Sequence, residues 1–485
     1  MPHKYLGLIP QLATGIRLPD IVLPPILEAF KMYDSIGTLM LSYHRETAPT
    51  DVIREETNVL KGHTGTSISE YISKAIRYSD IYDILVQVEA DHVSLMASPE
   101  RAIKRIAGGS FEYGLSDSEI IESLNYIERE FKEASESGGV DFVTIDTCEL
   151  IDLSVNKMDI YDLEAMYEER LDSDLRRGLE KRYLDRVFKF VIDNDTVLYL
   201  KFSREDLIRL ALKYLKSIEY IDRILSIIRK YIIRPFGIEI ALDELPEHTK
   251  IKDLVFYLLE LKRRGLDPDF IAPNIGFMKR EDFKGDLKDF AQKLRLIHGI
   301  VKNFGSLISF HSGSGAHPYS DKGLGVWSTI RKVTGGAIKY KVSGVYIQLL
   351  LEVMSRFPKG SGPRRLYEEI YQVVLDTLEK YVLDRKGLYS PHLETMIKHY
   401  RETIERDPAK KMDPRADFFR HYFFLFQAVR DNKGVRYLRE ELLDLYSRDQ
   451  LFREIYRRES IKLTTRMLLK LGLAGNAMWF NVLHK

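Results

Sequence analysis

Several groups in this 485-residue chain pair side chains that bind metal ions or move protons with the ends of short apolar runs. Leu307, Ile308 and Phe310 form a run of strand length that gives way at His311-Ser312-Gly313-Ser314-Gly315. A second run, residues 82–90, stops at Asp91-His92, and a third, residues 237–242, stops at Asp243-Glu244. Residues 141–145 end at Asp146, and Lys341 lies near the end of the run at 337–342. Imidazole beside carboxylate suits Zn, Mn, Co or Ni, with hydroxyl and carbonyl oxygens of a ligand able to complete an open coordination sphere. Successive side chains on a strand point to opposite sides, so Asp243 and Glu244 can both face one site only if the strand has already turned. One of them is therefore expected at the site and the other in support. An ammonium such as Lys341 could hold a carboxylate, phosphate or hydroxyl, or stand as a surface lysine. Asp146 either joins the site or caps the following helix.

Such groups need a scaffold that brings several strand ends together. A (β/α)8 barrel does so at the face where its parallel strands pass into their βα loops. The apolar spacing predicts eight strands, at residues 6–12, 37–43, 82–90, 141–145, 237–242, 269–275 (which contains Asn274), 307–310 and 337–342. Helical spacing is expected between them, with Ser116 as an N-cap for 116–137 and Gly265 as the stop after 251–264. Strand–helix alternation would also allow a doubly wound sheet, but that fold concentrates its site at one crevice. Polar ends spread over many strands favour the closed barrel. A mostly helical insertion is expected near 151–203, with a strand-like piece at 196–202. The Gly/Pro/Ser stretch 358–363 reads as a linker, so residues 1–357 are expected to form the barrel and 364–485 a helical C-terminal extension packed on it. The aromatic cluster Phe418, Phe419, Tyr422, Phe423 and Phe426 has helical spacing and is assigned to a core.

Composition narrows the class. Hydrophobic residues make up 45% and charged residues 30%, a globular balance with ample material for a core. With 73 Lys+Arg against 72 Asp+Glu the net charge is +1, which supplies no global field for nucleic acid or anionic lipid. Cys148 is the only cysteine, which rules out an intrachain disulfide and a cysteine-based zinc motif and suits a reducing compartment. There is no apolar run of about 18 residues and no leader-like N-terminal segment, so the expected location is the cytoplasm. No Walker loop, dinucleotide fingerprint or nucleophile elbow is present. His298 falls within a helix. His317 and His248 lie near the candidate groups as further possible ligands, and His392, His399 and His484 are expected at the surface.

In their order along the chain these motifs resemble the tagaturonate epimerase family, a metal-dependent barrel family that interconverts D-tagaturonate and D-fructuronate. The similarity is carried by EADHV at 89–93, VTID at 143–146, Asp243-Glu244 followed by Arg263-Arg264-Gly265, KGDL at 284–287, HSGS at 311–314 and Thr334-Gly335-Gly336. It extends to Thr14-Gly15, to Asp413-Pro414-Arg415 and to His421. The resemblance implies a carbohydrate epimerase, an isomerase of hexuronate catabolism, with one divalent metal ion held by His92 and His311. It implies Asp91 as proton acceptor and Glu244 as proton donor, with Asp146, Asp243, Asn274, Lys341, Arg17 and Ser312 as candidate substrate contacts. Because the inverted carbon lies β to the ketone, its C–H is not acidified by direct enolisation, and a retro-aldol/aldol route is the expected chemistry. The expected ligand is a small sugar acid or ketose, without nucleic acid or membrane, in a chain that could form a homo-oligomer. Alternatives are a metal-dependent sugar aldolase or ketose isomerase on the same barrel, or a sugar-binding protein with a decayed site. Three departures from the family pattern point to a substrate altered at its charged end or in length: Ile16 in place of a carboxylate, Met40-Leu41-Ser42 at the second strand end, and the inserted residues 315–319.

Overall fold

The computed structural model describes residues 3–55, 60–98 and 114–483; His484 lies outside them. Eight parallel strands close into a barrel: β1 (Gln11–Gly15), β2 (Gly37–Ser42), β3 (Val86–Ser94), β4 (Phe142–Asp146), β5 (Gly237–Ala241), β6 (Phe270–Ala272), β7 (Leu307–Phe310) and β8 (Ile338–Val342). Each strand pairs with its neighbours in chain order, and β1 closes on β8 through Gln11 opposite Lys339 and Ala13 opposite Lys341. Among the described residues eight helices cover the outside: α1 (Pro19–Met32), α2 (Ile68–Tyr82), α3 (Asp117–Glu136), α4 (Arg204–Tyr231), α5 (Ile251–Arg263), α6 (Leu287–Asn303), α7 (Val326–Thr334) and α8 (Val345–Ser355). Their starts follow local chemistry. Ser116 and Ser203 form capping boxes with Glu119 and Asp206, each satisfying backbone donors that a helix N-terminus leaves unpaired.

Two strands sit further along the chain than the apolar spacing predicts. Leu6 and Ile9 are not in β1; lying on either side of a left-handed Gly7 and before Pro10, they form a separate small cluster with Ile36. β3 begins four residues later than residue 82 and carries Asp91 and His92 inside the strand. Between β3 and β4 the register shifts between Ala90 and Val93, and His92 takes φ 46°. This bulge breaks strict alternation and lets neighbouring Asp91 and His92 serve the same end of the barrel.

Between β4 and α4 lie two short helices, Ile160–Arg170 and Ser173–Tyr183, and a β-hairpin of Phe188–Asp193 with Thr196–Leu200. Beyond α8 the chain is helical, with α9 (Gly362–Asp384), α10 (Pro391–Arg406), α11 (Tyr437–Arg448) and α12 (Gln450–Leu471) as its main elements. α12 packs along α1, α7 and α8, and one continuous apolar core contains both barrel residues such as Leu23 and Leu350 and extension residues such as Phe418 and Leu463. The extension is thus joined to the barrel by buried side chains as well as by the linker. Among the described residues no helix is long and apolar enough to cross a membrane.

Candidate active site

The interior of the barrel is polar where a fully apolar filling would be usual for buried parallel strands. Glu89 and Asp91 share one face of β3, and Lys339 and Lys341 share one face of β8, each pair two residues apart. Lys339 Nζ lies 2.7 Å from Glu89 Oε2 and 3.0 Å from Glu239 Oε2, beneath the rest of the site and 3.8 Å from the centre of the Phe142 ring. Lys341 Nζ reaches Glu89 Oε1 at 2.6 Å, Asp91 Oδ1 at 2.7 Å and Glu239 Oε1 at 3.1 Å, and donates to Thr144 Oγ1 at 2.7 Å. Ser42 Oγ donates to the other Asp91 oxygen at 2.7 Å. Burial alone would raise the Asp91 carboxyl, but the Lys341 ammonium, with His92 and His311, holds it well below the carboxylate range.

Above this layer the two imidazoles meet edge to face, with ring centroids 4.8 Å apart. His311 Nε2 is hydrogen-bonded to Glu239, and Nδ1 lies 2.8 Å from Asp243 Oδ1. His92 Nδ1 lies 3.3 Å from Asp146 Oδ2, while the other Asp146 oxygen accepts from Cys148 N at 2.9 Å. Asp146 thus stands beside His92 and closes the turn after β4, but it does not cap the short helix Cys148–Leu150, which has no side-chain cap. Glu244 accepts from Arg45 Nη1 at 2.8 Å and from Lys279 Nζ at 3.0 Å. β5 ends at Ala241, so both Asp243 and Glu244 lie past the strand, and both converge on His92. The expectation that only one of them would reach the site is corrected by this early turn.

These positions fit a divalent cation. Ligand atoms of His92, Asp243 and His311 lie within 4.8 Å of one another, as do those of His92, Asp146 and Glu244. Asp243 Oδ1 and His311 Nδ1 are buried and face each other at 2.8 Å, a carboxylate–imidazole pair of the kind that holds a divalent cation. Among the described residues the cluster brings together the carboxylates of Glu89, Asp91, Asp146, Glu239, Asp243 and Glu244 beside Lys339, Lys341, Arg45 and Lys279. Without a cation, His311 takes a proton instead: burial would lower its pKa, but Asp243 and Glu239 outweigh burial and Lys341 and raise it to about 9.

A cavity of about 150 Å³ opens above the cluster at the C-terminal ends of the strands. Asp91, His92, His311, Ser312, Lys341 and Arg17 line it. Arg17 donates from Nε to Ser343 Oγ at 3.0 Å and is ion-paired with Glu46, while its Nη1 is buried with no hydrogen-bond partner among the described residues. Asn274 is not in this cavity. It lines a separate hollow with His248, where its side chain donates to Leu245 O and its backbone N–H to Thr249 Oγ1 at 2.8 Å. It braces the β5 and β6 loops rather than facing the cluster. His317 and His298 also lie outside the cavity lining.

Of the three family departures, only one touches the cavity. Ile16 is buried in the apolar core. The inserted residues dock elsewhere, with Tyr319 Oη donating to Glu459 O at 3.1 Å and Ala316 N to Asp282 Oδ1 at 2.9 Å. Met40 and Ser42 of β2 do line it. Sequence reading missed Glu239, Lys339, Arg45, Lys279 and Arg280 as parts of the site. The alternating charges Glu89/Asp91 and Lys339/Lys341 within otherwise apolar strands were the available signal for the inner layer. It also missed that His421, Tyr422 and Phe424 of the extension form one wall.

The closed barrel, with its polar cavity at the mouth, places the chain among (β/α)8 enzymes. A family model described as tagaturonate epimerase (UxaE) matches residues 74–455. The chain belongs to that family, and its class is therefore that of an isomerase. Among solved structures it is similar to fructuronate-tagaturonate epimerase UxaE from Cohnella laeviribosi. In the complex with two glycerols the TM-score is 0.66 at 18% identity, covering 96% of this chain and 82% of that one. In the native crystal structure of that protein the TM-score is 0.63 at 19% identity, with the same coverage. At these identities the likeness establishes the fold, a barrel carrying a helical extension. No curated protein is significantly similar in sequence.

Proposed function

We propose that the chain is a divalent-metal-dependent epimerase that inverts one hydroxyl-bearing carbon of a ketohexuronate or related ketose, with tagaturonate and fructuronate as the reference pair. The observation that carries this reading is the convergence of ligand atoms of His92, His311 and Asp243, and of His92, Asp146 and Glu244, within 4.8 Å of one another at the mouth of the barrel. His92, His311 and Asp243 would hold the ion, and Glu239 would orient His311 through its other ring nitrogen, the usual support for a ligating imidazole. When bound, a Zn, Mn, Co or Ni ion supplies Lewis-acid stabilisation of oxygen charge and a template for ketone and hydroxyl oxygens.

The protein side of the reaction is assigned to two carboxylates. Asp91, kept ionised and positioned by Lys341 and Ser42, accepts the proton of the hydroxyl on the carbon to be inverted. The bond from that carbon to its neighbour then breaks, leaving an aldehyde, and the electron pair passes to the neighbour to form the enolate of the ketone. The aldehyde turns, the enolate carbon attacks its opposite face, and the new alkoxide takes a proton from Glu244, which enters the cycle in its acid form; exchange with solvent then removes the proton from Asp91 and restores the one on Glu244. Arg45 and Lys279 hold Glu244 in place. Tyr422 and Phe424 wall the cavity, which favours recombination of the two fragments over their release and so favours epimerisation over net aldol cleavage. Arg17, with Ser343, is the assigned contact for the charged end of the substrate, and Ser312 for a hydroxyl. The buried lone Cys148 suits the reducing cytoplasm.

Titration calorimetry of chelator-treated protein with Mn, Co, Ni and Zn should give one site per chain, lost in His311→Ala. Turnover in heavy water then tests the route. The retro-aldol path leaves the hydrogen on the inverted carbon unexchanged, and deuterium appearing there would overturn it.

A further inference from the structure

One wall of the cavity is built by the C-terminal extension, through His421, Tyr422 and Phe424. The short helix Asp417–Tyr422 carries His421, and Nδ1 lies 2.8 Å from the backbone oxygen of Asp417 one turn earlier. A carbonyl oxygen can only accept, so Nδ1 carries the hydrogen. His421 lines the cavity, and Nε2, at the distal edge of its ring, makes no hydrogen bond to any described residue.

The surroundings keep that edge an acceptor. Burial pushes the imidazole down to about 4, the Asp417 carbonyl opposes this, and the Arg280 and Arg420 guanidinium groups lower it further. A neutral ring with Nδ1–H has an unprotonated Nε2 throughout the neutral range. The ring is also anchored. Arg280 donates from Nη1 to the backbone oxygens of Arg420, at 2.6 Å, and of His421. Arg420 donates in return to the backbone oxygen of Arg280, and the Arg280 guanidinium lies 4.6 Å from the centre of the Phe423 ring. This reciprocal clasp ties the loop after β6 to the extension, and it fixes where His421 stands relative to the barrel.

We propose that His421 is a specificity-determining residue: its Nε2 accepts a hydrogen bond from a substrate hydroxyl at the outer end of the cavity, so that the C-terminal extension reads the sugar. The inference rests on the proposed sugar epimerase reading. Most of the cavity's other polar side chains are cationic donors or belong to the acidic inner cluster, and a neutral acceptor among them selects a hydroxyl over a carboxylate.

The test is steady-state kinetics of the metal-loaded full-length protein with D-tagaturonate, comparing wild type, His421→Leu and His421→Gln. Losing one neutral hydrogen bond should raise KM by about tenfold in His421→Leu with kcat within about twofold. His421→Gln, which offers a carbonyl acceptor, should recover most of the KM. A merely structural role would lower the melting temperature of both variants without this split. An unchanged KM in His421→Leu, a fall in kcat at constant KM, or equal KM in the two variants would each overturn the inference. Absence of turnover in the wild type would instead refute the epimerase reading, and a calorimetric titration of the three proteins with D-fructuronate would still decide the role of His421.

Discussion

Replacing Lys341 by Met removes the one ammonium that Asp91 shares. Glu89 and Glu239 retain Lys339, at 2.7 and 3.0 Å, whereas Asp91 retains only the Ser42 hydroxyl at 2.7 Å as a direct partner. The variant therefore leaves one buried carboxylate without its cation, which typically costs about 3–5 kcal/mol. The pH dependence has a definite sign. In the wild type the Asp91 pKa is depressed, so its contribution to stability is present above the unfolded value of about 3.9 and is lost only as pH falls through the still lower folded value. The Lys341 pKa is raised, since the three carboxylates outweigh burial, and its contribution is complete below about 10.4. In Lys341→Met burial lifts Asp91 upward, and protonation relieves the unpaired charge as pH falls. Urea unfolding of chelator-treated protein should thus show a stability loss that is largest near pH 8 and smaller at pH 5. A loss below about 1 kcal/mol, or one that grows toward pH 5, would refute the assignment of Lys341 as the counter-ion of Asp91.

Asp91→Asn and Glu244→Gln should each lower turnover by about 10²–10⁴-fold, as expected when a proton-transfer group is removed; metal analysis of the same samples should show the ion retained in Asp91→Asn, and loss of metal in Glu244→Gln would make Glu244 a ligand. Glu239→Gln should weaken metal binding by about 10–100-fold while leaving the ligands in place, because it removes the carboxylate behind His311; calorimetry of the chelator-treated variant measures this. Arg280→Met should free the helix Asp417–Tyr422 from the loop after β6, seen as faster amide hydrogen exchange in residues 417–424 with the barrel strands unchanged.

The barrel was legible because its strands are short apolar runs divided by amphipathic helices, a pattern that depends on local spacing. The match at β7 is complete, and β5 and β8 differ by a residue at one end. β1 was misplaced because Leu6 and Ile9 are apolar for a different reason, filling a small cluster outside the strand. His92 was legible as an imidazole near the site, but its place inside β3 and the bulge that turns it beside Asp91 were not, since nothing in EADHV distinguishes a bulge from a regular strand. The inner layer shows the deeper limit. Lys339, on a strand 250 residues from Glu89, reads as a surface lysine until barrel closure places it between Glu89 and Glu239. Ile16 shows the converse: a substitution at a motif position suggested a changed substrate contact, yet the side chain lies in the core. The wall contributed by His421 and Tyr422 depends on how a separate helical segment docks, which local periodicity does not encode.

The proposed activity is inversion of a sugar carbon with the help of a divalent ion. It is tested most directly by incubating the metal-replete protein with D-tagaturonate and following the mixture by NMR. The account predicts conversion to D-fructuronate up to an equilibrium, abolished by chelation and restored by one divalent ion per chain. Protein that binds its ion yet leaves D-tagaturonate unchanged, or that converts it equally well after chelation, would contradict it.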